Sequence, residues 1–182
     1  MAKALSMLLM MAVLSGMAWG MDVSIEGKAK WFSPGEEAFR EIYGGGIGWG
    51  GAVVFGLSEH WEVSLEADWF SRNGELTYTR EPTEMSLFAL GVEGRYLFPL
   101  KGVTLFAGPG AYLYHFHEDN RMGKAKKSGP GFMLKAGALV PLSQCLRLNL
   151  FAGYSFCRIT PVNIEFSVGG FAAGLGLRYT FE

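Results

Sequence analysis

The sequence predicts an all-β protein, an eight-stranded antiparallel up-and-down transmembrane β-barrel. Three observations support this fold: apolar residues alternate with polar or small residues in eight segments, turn residues separate the segments, and short and long connections follow one another. The chain is 49% hydrophobic, yet after residue 20 it contains no apolar run long enough to cross a membrane as a helix. Only helices and closed barrels pair every backbone group in lipid, so the alternation favours a barrel.

The first twenty residues are predicted to be a secretory signal peptide and take no part in the fold. Lys3 supplies a positive start, Leu5 to Val13 an apolar core, and Ala18-Trp19-Gly20 the small residues that precede cleavage. The apolar core is shorter than the ~20 residues that a spanning helix needs, which disfavours a membrane anchor. The predicted domains are therefore a signal peptide at 1–20 and a barrel at 21–182.

The first three strands are predicted at 23–32, 43–55 and 61–70. In each, one face is apolar enough for lipid, and the opposite face is charged or made of glycine. The three apolar faces are Val23, Ile25, Ala29 and Trp31; Tyr43, Ile47, Trp49, Val53 and Phe55; and Trp61, Val63, Leu65, Ala67 and Trp69.

The next four strands, at 85–98, 103–116, 132–140 and 146–156, repeat the pattern. Pro109 weakens the second of them locally because proline has no backbone N–H. Their apolar faces are Phe88, Leu90, Val92 and Tyr96; Leu105, Ala107, Ala111 and Leu113; Leu134, Ala136 and Ala138; and Leu148, Leu150, Ala152 and Tyr154.

The eighth strand, Val168 to Phe181, closes the chain with strict alternation. With an even number of antiparallel strands it can pair with the first strand, which removes both sheet edges. Its apolar face is Phe171, Ala173, Leu175, Leu177, Tyr179 and Phe181, opposite Ala172, Gly174, Gly176, Arg178 and Thr180.

Connection lengths and aromatic residues give the barrel two different ends. Connections at 56–60, 99–102 and 141–145 are short, whereas those at 33–42, 71–84, 117–130 and 157–167 are longer. Short turns at one end and long loops at the other are typical of bacterial outer-membrane barrels. Two aromatic belts are predicted, with Phe55, Trp61, Tyr96 and Phe181 at the short-turn end and Trp31, Tyr43, Trp69, Phe132, Tyr154 and Phe171 at the long-loop end.

Folding the alternation into a barrel sends most charged strand residues to the interior. An eight-stranded barrel has room inside for side chains and little else, so a hydrogen-bonded ionic core is predicted. A narrow ion path or a ligand pocket is the alternative. The predicted interior residues are Glu26, Lys28, Lys30, Glu62, Glu66, Asp68, Glu93, Arg95, Lys135, Arg147 and Arg178.

Other chemistry-bearing residues give weaker signals. His115 and His117 point outward at the rim by strand parity and show no third metal ligand by spacing, so we expect neither a metal nor another cofactor. Cys145 and Cys157 would lie at opposite ends of one strand, roughly 40 Å apart, which excludes a disulfide. A net charge of -1 argues against a nucleic-acid partner.

With these features the chain resembles the small outer-membrane β-barrel proteins of Gram-negative bacteria, the class that includes OmpX, Ail, opacity proteins and the OmpA transmembrane domain. The resemblance rests on the architecture and on the ending Leu175, Leu177, Tyr179, Phe181, which Glu182 follows. It implies location in the outer membrane as a monomer, with Tyr179 and Phe181 as the signal read by the barrel-assembly machinery.

The third long loop is basic, with Arg121, Lys124, Lys126 and Lys127. A merely solvated loop is the favoured interpretation of these charges, and contact with lipopolysaccharide phosphates, which would lie near the height of the loop, is the alternative. Outer-membrane lipids and lipopolysaccharide are the expected partners.

The expected function is a non-enzymatic contribution to envelope integrity or surface interaction through the loops. A narrow ion or small-solute pore is one alternative. A lipid A-modifying enzyme is the other, and it would need His115 or His117 beside Ser128, Ser155 or Glu165.

Overall fold

The computed structural model describes residues 22–75, 82–121, 123–159 and 166–181. The predicted signal peptide at 1–20 lies outside these residues. Among the described residues, no helix is both long enough and apolar enough to cross a membrane.

The described residues form nine strands and one short helix. In order they are β1 (Asp22–Pro34), α1 (Glu37–Tyr43), β2 (Gly46–Gly56), β3 (Trp61–Glu75), β4 (Pro82–Leu100), β5 (Val103–Asn120), β6 (Gly123–Pro141), β7 (Leu146–Ile159), β8 (Phe166–Ser167) and β9 (Gly170–Phe181).

Eight of these strands close into an antiparallel up-and-down barrel, which confirms the predicted fold. Each of β1 to β7 pairs with the next, β7 pairs with β9, and β9 pairs with β1. The closing register sets Glu26 opposite Arg178 and Ile25 opposite Tyr179. The two-residue strand β8 pairs with the last two residues of β7.

Burial follows the predicted alternation at most strand positions, although Val23 and Val53 of the predicted apolar faces are only 1% and 2% exposed. On β3, Trp61 and Trp69 are 52% and 51% exposed, whereas Glu66 between them in sequence is 1% exposed. The apolar side chains therefore face out of the barrel and the charged ones face in, the reverse of a water-soluble protein.

The predicted strand 43–55 is wrong at its start, because Tyr43 is the last residue of α1 and β2 begins only at Gly46. Tyr43 is buried rather than part of an exposed aromatic belt. Phe39 and Tyr43 are four residues apart, so a helix brings both onto one face, and their rings lie 5.1 Å apart. Gly44, with φ of 65°, ends the helix in a conformation that favours glycine.

The predicted loop at 117–130 is also wrong, because most of it is strand. β5 continues to Asn120 and β6 begins at Gly123, and the two strands stay paired up to Asn120 and Gly123. We call residues 114–130 the β5–β6 hairpin. Cross-strand pairing there continues the barrel wall outward, so the hairpin stands on the outer end as ordered sheet.

Candidate functional sites in the lumen and at the outer rim

Glu66 is the centre of a buried ionic network inside the barrel. Its carboxylate accepts hydrogen bonds from Lys28 Nζ at 2.6 Å, Arg95 Nη2 at 2.5 Å and Lys135 Nζ at 2.7 Å. These partners come from β1, β4 and β6, so one carboxylate of β3 links four strands across the lumen. Such a cluster is stable only when each charge keeps its partners.

A second part of the network joins the closing strand to the rest. Arg178 donates to Glu62 at 2.8 Å and 3.0 Å and to Glu26 at 3.2 Å. Arg95 also reaches Glu62 at 3.2 Å, which connects this part to Glu66. At the outer side of the network, Lys30 pairs with Asp68 at 2.6 Å.

Charge is balanced within this network. Its carboxylates are Glu26, Glu62, Glu66, Asp68 and Glu93, and its cations are Lys28, Lys30, Arg95, Lys135 and Arg178. Five negative charges thus meet five positive charges in these ion pairs.

Arg147, which was predicted in the interior, does not join the network. It lies in register with Pro141 and Arg178 near the start of β7, where it is half-exposed. It forms none of the ion pairs of the described residues, because its strand position is at the mouth of the barrel and its neighbour Arg178 carries the same charge.

Uncharged polar residues complete the network, and they were not among the interior residues predicted from the sequence. Tyr112 donates to Glu66 at 2.8 Å, Asn149 to Glu26 at 2.7 Å, and Ser64 to Glu66 at 3.2 Å. Each belongs to the inward face of its strand, so strand parity was the available signal. Their importance depends on cross-strand distances, which a local pattern does not contain.

Apolar side chains cover the network on both sides. Toward the outer end lies a cluster that includes Phe32, Phe70, Phe116 and the α1 residues Phe39 and Tyr43. Toward the other end lie Phe106, Leu139 and Phe151, with the Arg95 guanidinium 4.9 Å from the Phe106 ring centroid. The cavity between network and outer cluster is only about 20 Å³, room for about one water molecule.

The outer rim carries the four basic residues for which contact with lipopolysaccharide is the alternative to a solvated loop. All of Arg121, Lys124, Lys126 and Lys127 are exposed on the β5–β6 hairpin. Lys124 pairs with Asp119 at 2.7 Å, and this hydrogen bond lowers the pKa of the Asp119 carboxyl. A groove of about 410 Å³, lined in part by Tyr154, Phe156 and Arg158, lies elsewhere on this rim.

The candidate catalytic residues are only partly brought together. His115 Nδ1 lies 2.6 Å from Ser128 Oγ on the outward face of the hairpin. Ser155 lies inside the barrel, where it bonds to Gly170, and Glu165 lies outside the described residues. In the described parts of the chain, no carboxylate bonds to His115 or Ser128, and no group of three or more side chains could hold a metal ion.

The terminal aromatic residues lie on the outward face of β9. Tyr179 is 45% exposed, and its ring meets that of Phe181 edge to face with centroids 5.2 Å apart. Cys145 and Cys157 are both free thiols.

Comparisons with known proteins identify the fold. Neither a protein-family profile nor a curated protein matches the sequence. Among solved structures, the outer membrane protein OprG from Pseudomonas aeruginosa is 14% identical, with 89% of this chain and 96% of that chain covered and a TM-score of 0.72. Neisserial surface protein A is 15% identical, with 89% and 97% covered and a TM-score of 0.63.

A third similar structure is Ail of Yersinia pestis in complex with the heparin analogue sucrose octasulfate. It is 14% identical, covers 87% of this chain and 97% of that chain, and has a TM-score of 0.52. At these identities the likenesses show a shared fold, that of the small eight-stranded barrels of bacterial outer membranes.

Proposed function

We propose that this chain is a non-enzymatic, non-conducting β-barrel of the bacterial outer membrane that contributes to envelope integrity or surface interaction. The observation that carries the proposal is the filled lumen, where a charge-balanced ionic network lies between two apolar layers. A wall that is apolar outside and a core that is closed inside suit a membrane-embedded support for an outer surface.

The pore is the less favoured alternative. Glu66, Arg95 and Lys135 bridge the interior directly, with 4% or less of each side chain exposed. Passage of a hydrated ion would require breaking several of these buried ion pairs at once. Each such break leaves a charge without its partner, which costs about 3–5 kcal/mol.

Planar-bilayer conductance tests the closed lumen. The purified full-length barrel is expected to give no resolved single-channel steps in 1 M salt, because the ion pairs close the interior. A general porin incorporated from the same detergent serves as the positive control. Reproducible steps of one size from the barrel, absent from detergent alone, would reject the proposal in favour of the pore.

The enzyme alternative has one supporting contact, the hydrogen bond between His115 and Ser128. Acyl transfer also needs a group that orients the histidine and donors for the oxyanion. Among the described residues, no carboxylate bonds to His115 or Ser128 to orient the histidine, so we propose a binding role for the pair instead.

Surface interaction is proposed to occur at the β5–β6 hairpin. Lys124, Lys126 and Lys127 are exposed there, and Arg121 follows β5 at the tip. The Ail complex with sucrose octasulfate shows that a barrel of this fold binds a polyanion. For this chain we propose contact with the phosphates of lipopolysaccharide, which surrounds a barrel in the outer leaflet.

The proposal also covers an assembly partner and the oligomeric state. Tyr179 and Phe181, at the end of β9, are proposed as the signal for the barrel-assembly machinery. The barrel is proposed to act as a monomer, since its own strands close the sheet and leave no barrel edge for a second copy.

A further inference from the structure

Five side chains with hydrogen-bond donors share one outward patch at the outer rim. This donor cluster consists of Ser86 on β4, His115 and His117 on β5, and Lys126 and Ser128 on β6. Cross-strand register sets His115 opposite Ser128, and His117 opposite both Lys126 and Ser86. Directly opposed side chains on one face of a sheet lie about 4.5–5.5 Å apart, so the donors converge on one small area.

The donor cluster lies at the level of the outer aromatic belt. The His115 ring stacks on Phe88 with centroids 6.2 Å apart, and Phe88 in turn lies 6.2 Å from the exposed Trp69. Aromatic belts mark the boundary between hydrocarbon and headgroups. His117 and Lys126 lie two residues farther out along their strands, which places them about 5 Å above that boundary because barrel strands are tilted. Lipid phosphates occupy this height.

The electrostatics of the donor cluster suit an anion. Lys126 is exposed and forms no ion pair with the residues that the structure describes, whereas Lys124 is held by Asp119. Asp119 and Glu84 are in register in the next row out, where the Asp119 carboxylate is paired with Lys124. The His117 Nδ1 is buried and has no hydrogen-bond partner among the described residues, so contact with a ligand falls to the other ring nitrogen, Nε2. Imidazole, hydroxyl and ammonium groups together can donate to several phosphate oxygens.

An apolar surface continues from the donor cluster toward the middle of the barrel. Leu90, Leu113 and Phe132 are 47%, 44% and 43% exposed on the same outward face of β4, β5 and β6. A molecule with a phosphate group and acyl chains would therefore meet donors and apolar surface in the right order.

We propose that the donor cluster binds the phosphate headgroup of a lipopolysaccharide molecule whose acyl chains lie along this apolar strip. The inference rests on the proposed lipopolysaccharide contact and names the chemical group and the face of the barrel that make it. The two histidines give the contact a fixed geometry that mobile lysines alone would lack.

Native mass spectrometry of the full-length barrel in detergent tests the site by titration with three probes. These are bisphosphorylated lipid A, the same lipid after removal of both phosphates, and inorganic phosphate. The wild-type barrel is expected to bind the bisphosphorylated lipid roughly ten-fold more tightly than the dephosphorylated lipid, the size expected for a charge-assisted hydrogen bond. Inorganic phosphate is expected to bind far more weakly than either lipid.

Matched variants locate the site. The double variant H115F/H117F keeps the ring shape but removes the N–H donors, and it is expected to lose roughly ten-fold in affinity for the phosphorylated lipid without weakened binding of the dephosphorylated one. Lys101→Gln, in the turn between β4 and β5 at the opposite end, is expected to match the wild type. Heat-dependent gel migration shows that every variant is folded.

Each other outcome overturns part of the inference in a distinguishable way. Equal affinity for both lipid forms would mean that only acyl chains bind. Inorganic phosphate binding as tightly as lipid A would mean a free-anion site. Loss of affinity in Lys126→Gln but not in H115F/H117F would reject the histidine site while leaving the proposed lipopolysaccharide contact intact. No binding of either lipid would reject both.

Discussion

Single residues contribute unequally to the stability of this barrel, and the contribution of each depends on its position in the ionic network. Glu66 accepts hydrogen bonds from two lysines, an arginine, a tyrosine and a serine, and is 1% exposed. Arg147 also has a charged side chain at an inward strand position, yet it is half-exposed. Removing Glu66 leaves three buried cations short of a partner, whereas removing Arg147 leaves none.

Glu66→Gln is therefore expected to lower the free energy of unfolding by about 3 kcal/mol or more, because it removes one partner of a buried ion cluster and leaves the other charges uncompensated. Arg147→Gln is the matched control and is expected to change it by less than about 0.5 kcal/mol. Urea unfolding in phospholipid vesicles, followed by tryptophan fluorescence, measures both.

A second substitution shows whether the charge imbalance is the cause. Adding Lys135→Met to Glu66→Gln removes one of the uncompensated cations. The double variant is therefore expected to lose less unfolding free energy than the two single variants lose in total. Equal destabilisation by Glu66→Gln and Arg147→Gln would contradict the central role of Glu66.

Glycine at one inward position illustrates how closely the network fills the lumen. A methyl group at Gly50 would lie 2.9 Å from the Ala67 carbonyl oxygen and 3.0 Å from Lys28 Cε, and would collide with the Asp68 carboxylate. The glycine row of β2 thus leaves the space that the charged side chains of β1 and β3 occupy.

Among the elements, α1 differs from the strands because it closes the outer end rather than the wall. It has seven residues, too few to be a stable helix without tertiary contacts. Phe39 and Tyr43 supply those contacts, and the Phe39 ring lies 6.2 Å from that of Phe116 on β5. The helix is held by its aromatic side chains against the inner wall.

Phe39→Ala is expected to detach α1 locally without unfolding the barrel, since the lost aromatic contacts belong to a connection outside the strand pairing. Tryptic cleavage after the exposed Arg40 is expected to rise by at least about ten-fold. Ala38→Ser, on the exposed side of the same helix, is the control. Cleavage of Phe39→Ala no faster than that of Ala38→Ser would show that other contacts hold the helix.

At the scale of the whole molecule, the outward surface determines whether the barrel is stable in water or in a lipid bilayer. Exposed leucines, tryptophans and phenylalanines cover the wall, while ten charges are paired inside. In water this arrangement would leave an apolar surface far larger than monomeric soluble proteins tolerate. In a bilayer the same surface is satisfied by lipid.

Leu134→Arg is expected to lower the free energy of unfolding in lipid vesicles by about 2–4 kcal/mol, because Leu134 lies on the outward face of β6, next to the network residue Lys135. Leu142→Arg, at an equally exposed turn position, is expected to cost about 0–1 kcal/mol. Equal and negligible effects at both positions would indicate that the wall does not face lipid.

Much of the fold was predictable because alternation is a local property of each strand. A period of two assigns every strand residue to a face. The number of barrel strands, the apolar wall and the inward position of residues such as Glu66 and Arg178 therefore followed from the chain alone. Strand ends were less predictable, because pairing extends β5 and β6 beyond the apolar face into a hairpin that the polar sequence presents as a loop.

The side-chain contacts in the lumen and at the outer rim, in contrast, depended on closure of the barrel. Arg178 meets Glu26 and Glu62, while Glu66 takes Lys28, Arg95 and Lys135. His115 and Ser128 are thirteen positions apart in sequence, and only the pairing of β5 with β6 brings them together. These contacts are set by the register of every strand pair around the barrel, and register is a property of the whole sheet that no single segment encodes.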